Sequence, residues 1–251
     1  MDDRSGRRSA EPRQRWRIVF ARAAPLAPEH ADGVAAWEAS LGAAGLPLAF
    51  SLGRTARARV AIAASLPLGI AGEAELADVV LTERLTRHEV WSRLDGQLPS
   101  GHHLVDLFDV WLGEPSLAAR LAAADYRLDV QGAGATELTE AGRTLLGSTA
   151  LPRTRPKGEG RSVEYDLRPL LLGLHALPGT TLPGTALPGT APSSPANGVA
   201  TVHLRLRQAQ EGGAGRPDEV VLALGEQLGR QVTVASVVRE RLLTSDELPP
   251  G

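Results

Sequence analysis

The chain has 251 residues, enough for one large domain or for two of about 100 residues, either of which buries a workable core. A formal charge of -2 gives no global attraction to nucleic acid or anionic membrane, so any such binding must come from local patches. Cysteine is absent, which excludes disulfides, thiolate nucleophiles, thiolate zinc sites and an iron–sulfur cluster of the usual ligation, and with it cluster-dependent radical chemistry by this chain alone; no cofactor is expected.

Residues 1–14 are polar, mixed in charge and aperiodic, and read as a disordered tail. The tail lacks the apolar core of a signal peptide, and no run approaches the roughly 20 apolar residues of a membrane span, so a cytoplasmic location is expected. Trp16 to Arg22 reads as a strand. A helix is predicted from about Pro28 to Ala44, because Val34, Trp37, Leu41 and Ala44 recur at helical spacing and Gly45 can end it in the left-handed conformation. Leu46 to Leu52, Arg59 to Ser65 and Glu75 to Leu81 read as short strands around an arginine-rich loop. Thr86 and Glu89 have capping-box spacing before a helix from Arg87 to about Leu98, and His103 to Leu112 reads as the next strand.

The second half repeats that order. After a short predicted helix at Ser116 to Ala124, Asp125 to Val130 alternates strictly, with Tyr126, Leu128 and Val130 opposing Asp125, Arg127 and Asp129. A helix from Thr136 to Leu146 and a strand around Val163 to Leu167 follow. Between His175 and Gly198 lies a Pro/Gly-rich insertion built on a repeated Leu-Pro-Gly-Thr, read as a flexible loop without function. Thr201 to Gln208 is a strand. Pro217, Asp218 and Glu219 open a helix that Gly229 ends, and Val232 to Leu243 closes the chain. The predicted fold class is therefore α+β, with two tandem ferredoxin-like β-α-β-β-α-β units and antiparallel sheets, over residues 15–114 and 115–245, the insertion at 175–198 lying in the second.

Several segments carry a family likeness: Ala-Gly-Leu-Pro-Leu-Ala-Phe-Ser-Leu-Gly at 44–53, Ser-Leu-Pro-Leu-Gly-Ile at 65–70, Glu-Leu-Ala-Asp-Val-Val-Leu at 75–81, Ala-Ala-Asp-Tyr at 123–126, Tyr-Asp-Leu-Arg-Pro-Leu at 165–170 and Gly-Arg-Pro-Asp-Glu-Val at 215–220. In this order they resemble the uncharacterised radical-SAM-linked proteins, found fused to, or encoded beside, radical SAM proteins in bacteria. The resemblance implies a radical SAM protein as partner and a setting in RNA or ribosome metabolism, since relatives often lie near genes for ribosomal proteins and an RNA-processing ribonuclease. The family's His-Leu-Asp near the first helix is matched by His30-Ala31-Asp32. Its Gly-Phe-Asn-Pro loop is altered, because Gly53 here precedes Arg-Thr-Ala-Arg-Ala-Arg.

Two sets of candidate site residues follow from the residues themselves. His30 and Asp32 are the candidate acid–base pair, although the reading favoured for Asp32 is a helix cap with His30 exposed. Arg54, Arg57 and Arg59 form a dense positive loop. His203, Arg205 and Arg207 share one face of a strand, alternating with Val202, Leu204 and Leu206. Either arginine set has the chemistry to hold phosphate, or simply to face water. No aromatic residues interleave these arginines, which argues against recognition of stacked bases. His102 and His103 are adjacent and so point apart, and no spacing rule joins Asp78, Asp106 and Asp109, so no metal site is expected. The leading expectation is a non-catalytic accessory protein that binds RNA or a ribonucleoprotein through arginine-bearing surfaces. The rivals are an RNA-modifying or RNA-processing enzyme using His30, and a protein–protein adaptor for a radical SAM enzyme.

Overall fold

The computed structural model describes residues 11–24, 33–52, 56–156, 161–179, 199–208 and 213–248. The chain divides into two units, one of residues 1–121 with 244–246 and one of 122–243 with 247–251. Among the described residues it is a mixed α+β protein with mostly antiparallel strands and five α-helices. No described helix is long and apolar enough to cross a membrane.

The first unit runs β1 (Gln14–Arg22), α1 (Val34–Ala43), β2 (Val60–Ile62), β3 (Ala71–Leu81), α2 (Arg87–Leu94), β4 (His102–Val110) and a single turn, α3 (Leu117–Arg120). Its strands lie side by side as β4-β1-β3-β2, each pair antiparallel. Alternation decides which side chains go inside: Trp16, Ile18 and Phe20 of β1 and Ala77, Val79 and Leu81 of β3 share one face. There they form a core with Trp37 and Leu41 of α1 and Val90 and Leu94 of α2. The capping box at α2 forms as its spacing predicts, with the Glu89 N–H donating to Thr86 Oγ1 at 3.3 Å and the Thr86 N–H to Glu89 at 2.7 Å. Gly45, at φ 68°, takes the left-handed turn after α1.

The second unit runs β5 (Leu121–Gln131), α4 (Ala135–Gly147), the hairpin β6 (Pro152–Pro156) and β7 (Ser162–Asp166), then β8 (Leu171–Pro178), β9 (Ala200–Arg207), α5 (Pro217–Leu228) and β10 (Thr233–Thr244). Its sheet order is β10-β5-β9-β8, and the hairpin forms a separate two-stranded sheet. Tyr126, Leu128 and Val130 are buried with Val202, Leu204 and Leu206 beneath Leu138 and Leu145 of α4 and Val220 and Leu224 of α5. Packing of α4 on β8 is close enough that a Cβ on Gly142 would meet a Leu174 methyl at 2.1 Å, so any larger residue there would have to displace that side chain.

Several sequence expectations are corrected. Leu46–Leu52 is not a strand: Pro47 has no N–H to give, and the segment pairs with neighbouring strand segments only at the single bridges Leu48 to Leu81 and Phe50 to Ala58. The predicted helix at 116–124 shrinks to one turn, because Ala123 and Ala124 are fully buried in β5 and tertiary packing overrides alanine's helix propensity. The segment around Val163–Leu167 is not the sheet's second strand but half of the outlying hairpin, with Val163 exposed. That second strand is β8, whose last residues, from His175, fall within the predicted insertion; residues 180–198 of the insertion lie outside the described residues. The predicted 1–14 tail is too long, since Gln14 is buried in β1, where it bonds to Leu85 and Asp109; its residues 1–10 and the predicted start of the first helix at Pro28 are also outside the described residues, and α1 begins at Val34 behind a Gly33 cap that has no side chain to contribute.

Candidate functional site

His30, Asp32 and Arg54 lie outside the described residues. Arg57 and Arg59 are placed in the first unit, on either side of the buried Ala58, with Arg59 exposed. Backbone bonds hold this segment from both sides. The Arg57 N–H donates to Ser51 Oγ at 3.1 Å, the Ala58 N–H to the Glu38 carboxylate at 3.0 Å, and the Arg59 N–H to the Ala49 carbonyl at 2.8 Å. Among the described residues neither guanidinium has an ion-pair partner. Beside them, between α1 and the 45–58 segment, runs a groove of about 740 Å³ lined by Glu38, Gly42, Leu46, Leu48, Phe50 and Ala58.

The other predicted set lies on β9, where burial alternates as its sequence does: Val202, Leu204 and Leu206 inside, His203, Arg205 and Arg207 on the opposite face. Its neighbours fix what those side chains meet. Arg205 is in register with Asp125 of β5 and Gly173 of β8, and His203 with Arg127 of β5 and His175 of β8. Arg205 donates to both Asp125 oxygens, at 2.7 and 2.9 Å, and Arg241 adds a third bond to Asp125 at 3.0 Å. Glu240 accepts from Arg127 at 2.8 Å and stands 3.4 Å from His203 Nδ1. The rings of His175 and His203 stack, with centroids 4.8 Å apart and planes 5° from parallel. Arg207 differs from Arg205 in having no carboxylate among the described residues; its Nε donates to the Pro169 carbonyl at 3.3 Å.

Two opposed influences act on Asp125. Burial alone would raise its pKa, but the hydrogen bonds and charges of Arg205 and Arg241 outweigh it and hold the carboxyl below its ordinary value. Arg205 is correspondingly pushed up by its bond to Asp125. The face is thus an ion-paired lattice, with the Arg207 guanidinium outside its pairs, beside a cavity of about 250 Å³. Asp125 was legible from its strand's alternation, whereas Glu240, Arg241 and His175 carried no signal, the last because it sits where the repeat insertion begins.

The remaining candidates are separated. Asp78 is held by Arg15 and Arg17, Asp106 by Arg87 at 2.6 Å, and Asp109 accepts from Gln14 at 2.9 Å. His102 packs on Phe20 and Trp37 while His103 is exposed. Among the described residues no three His, Asp or Glu side chains are grouped to hold a metal ion. A family model for an uncharacterized protein conserved in bacteria, DUF2344, matches residues 15–209. No curated protein matches the chain.

Proposed function

Since the chain belongs to this conserved but uncharacterised bacterial family, we propose that it is a non-catalytic accessory protein that binds RNA or a ribonucleoprotein through arginine-bearing surfaces. Two tandem ferredoxin-like units are the fold of this reading. In its support, each unit has its strands in the spatial order fourth, first, third, second, with the β6–β7 hairpin as an addition to the second unit. A radical SAM protein as working partner is implied by the family resemblance alone.

The observation that carries the reading is the state of Arg57 and Arg59. An arginine already bonded to a carboxylate has its fork occupied, as Arg205 has on Asp125. Arg57 and Arg59 are without an ion-pair partner among the described residues and mounted on a bonded backbone, which is what phosphate contact requires. Arg207 is a third such group, and Arg205 and His203 serve to organise the second surface.

The test is the salt dependence of binding to a single-stranded RNA. Removing one phosphate contact reduces the slope of log K against log salt by about 0.7, so the Arg57→Ala/Arg59→Ala double variant lowers it by about 1.4. An unchanged slope with unchanged affinity removes both arginines from the interface. Arg205→Ala is the control, expected to leave the slope close to that of the wild type.

A further inference from the structure

The groove beside α1 in the first unit has one wall of unused backbone. Ala49 and Ser51 turn their polar groups inward: the Ala49 N–H donates to the Val80 carbonyl at 2.8 Å, the Ala49 carbonyl accepts from the Arg59 N–H at 2.8 Å, and the Ser51 N–H donates to the Arg57 carbonyl at 2.8 Å. In extended chain the residues between them turn theirs the other way. Among the described residues the N–H and C=O of Phe50 and the C=O of Leu48 make no hydrogen bond, and both residues line the groove. An edge of this kind is a template for a further strand. The facing wall leaves room for one, because α1 lines the groove with the exposed Ala35, Ala39 and Gly42. A Cβ added at Gly42 would meet nothing within 4 Å among the described residues, so the groove is open there. The charges among the described lining residues are of one sign, Glu38 and Glu83. Glu38 gives one carboxylate oxygen to the Ala58 N–H at 3.0 Å, whereas Glu83 is exposed with no ion-pair partner among the described residues. The Thr82 N–H donates to the Pro47 carbonyl at 2.8 Å, which puts Glu83 at the Leu46 end of the free edge.

We infer that this groove binds an extended peptide carrying a basic side chain, which adds a strand along Leu48 and Phe50. Main-chain bonds supply affinity in such strand addition, and side chains supply specificity. One residue of an antiparallel peptide exchanges both its bonds with Phe50, and the residue two further on donates its N–H to the Leu48 carbonyl. The residue opposite Leu46 then reaches Glu83, which selects lysine or arginine there. Two carboxylates in the lining disfavour a phosphate, so the groove does not continue the Arg57 and Arg59 surface. The inference goes beyond the RNA-binding reading and does not rest on it.

The probe is the acetylated and amidated peptide Thr-Val-Thr-Val-Thr-Lys, titrated into the full-length protein and followed by NMR. It shifts the Phe50 amide proton downfield in a saturable way, as a new hydrogen bond does. Gly42→Leu projects a side chain into the open groove and abolishes that response. Ala39→Leu, on the same wall, does the same without altering a glycine, so the test survives a glycine variant that fails to fold. Glu83→Gln weakens binding about two- to fivefold, the range of an exposed ion pair, and a peptide ending in glutamate in place of lysine also binds more weakly. The inference is overturned if the Phe50 amide does not move, or if both folded wall variants bind the peptide as the wild type does. It is overturned equally if single-stranded RNA shifts that amide and the peptide does not, which assigns the groove to the RNA surface. A peptide response in a protein that binds no RNA upholds the groove and removes the arginine reading alone.

Discussion

Both units hold two arginines on one aspartate, and the two clusters differ in what surrounds them. In the first, the Asp78 side chain is 3% exposed, and it takes Arg15 and Arg17 from the adjacent strand β1. The rest of the Arg15 fork is used up by the carbonyls of Glu114 and Pro115, at 2.8 and 3.1 Å, and Glu114 is itself held by Arg17 and Arg120. Each of these charged groups has its partner inside the protein. In the second, the Asp125 side chain is 16% exposed, with Arg205 and Arg241 at 35% and 52%, and a cavity opens alongside. The same chemistry is therefore structural in one place and available in the other, and burial, not composition, makes the distinction.

The sharpest way to break that comparison is Asp78→Ala. It leaves the buried Arg15 guanidinium without a carboxylate and Arg17 with Glu114 alone, and removing one partner of a buried pair costs about 3–5 kcal/mol. Urea unfolding followed by tryptophan fluorescence reads this directly. A loss below about 1 kcal/mol, the range of exposed pairs, would mean that the first cluster is no more structural than the second.

Asp125→Ala comes next, with an expected loss of about 1–2 kcal/mol, because water reaches the released arginines and replaces part of what is lost. Its pH dependence has a definite sign. The folded carboxyl titrates below its ordinary 3.8, so its contribution is present above the unfolded value and disappears as pH falls through the folded one. The stability gap between wild type and Asp125→Ala should stay constant from neutral pH down to about 5 and close below 3.8. A gap that widens in acid would contradict the assignment. Because Asp106, Asp166 and Asp246 are also shifted down, the difference between the two proteins is the quantity to follow, not the acid limb of either alone.

How far the sequence carried this picture depended on whether a feature was local. The alternation in Asp125–Val130 and Thr201–Arg207 is a property of one strand, and it placed Asp125, His203, Arg205 and Arg207 on the correct face. The α2 capping box is likewise contained in four residues. Register is not local. The pairing of His175 with His203, and of Arg205 with Gly173 and Asp125, follows from which strands become neighbours. Here β8 was hidden twice, once because Val163–Asp166 has the stronger alternation and once because its end runs into the Pro/Gly repeat. Glu240 and Arg241 were invisible for a similar reason: adjacent on one strand, they bond to different neighbours, Arg127 and Asp125.

The smallest expected effect tests the exposed end of the comparison. Arg241 is half exposed, and Asp125 keeps both bonds from Arg205 when Arg241 is removed, so Arg241→Ala should cost only about 0.2–1 kcal/mol. Most of even that is Coulombic attraction acting near solvent. At about 1 M salt, where screening acts over about 3 Å, the difference between wild type and Arg241→Ala should largely vanish. The cost of Asp78→Ala should persist under the same conditions, because ions do not enter a cluster whose carboxylate is 3% exposed. Were the two variants to respond alike to salt, the distinction between a sealed and an open aspartate would fail.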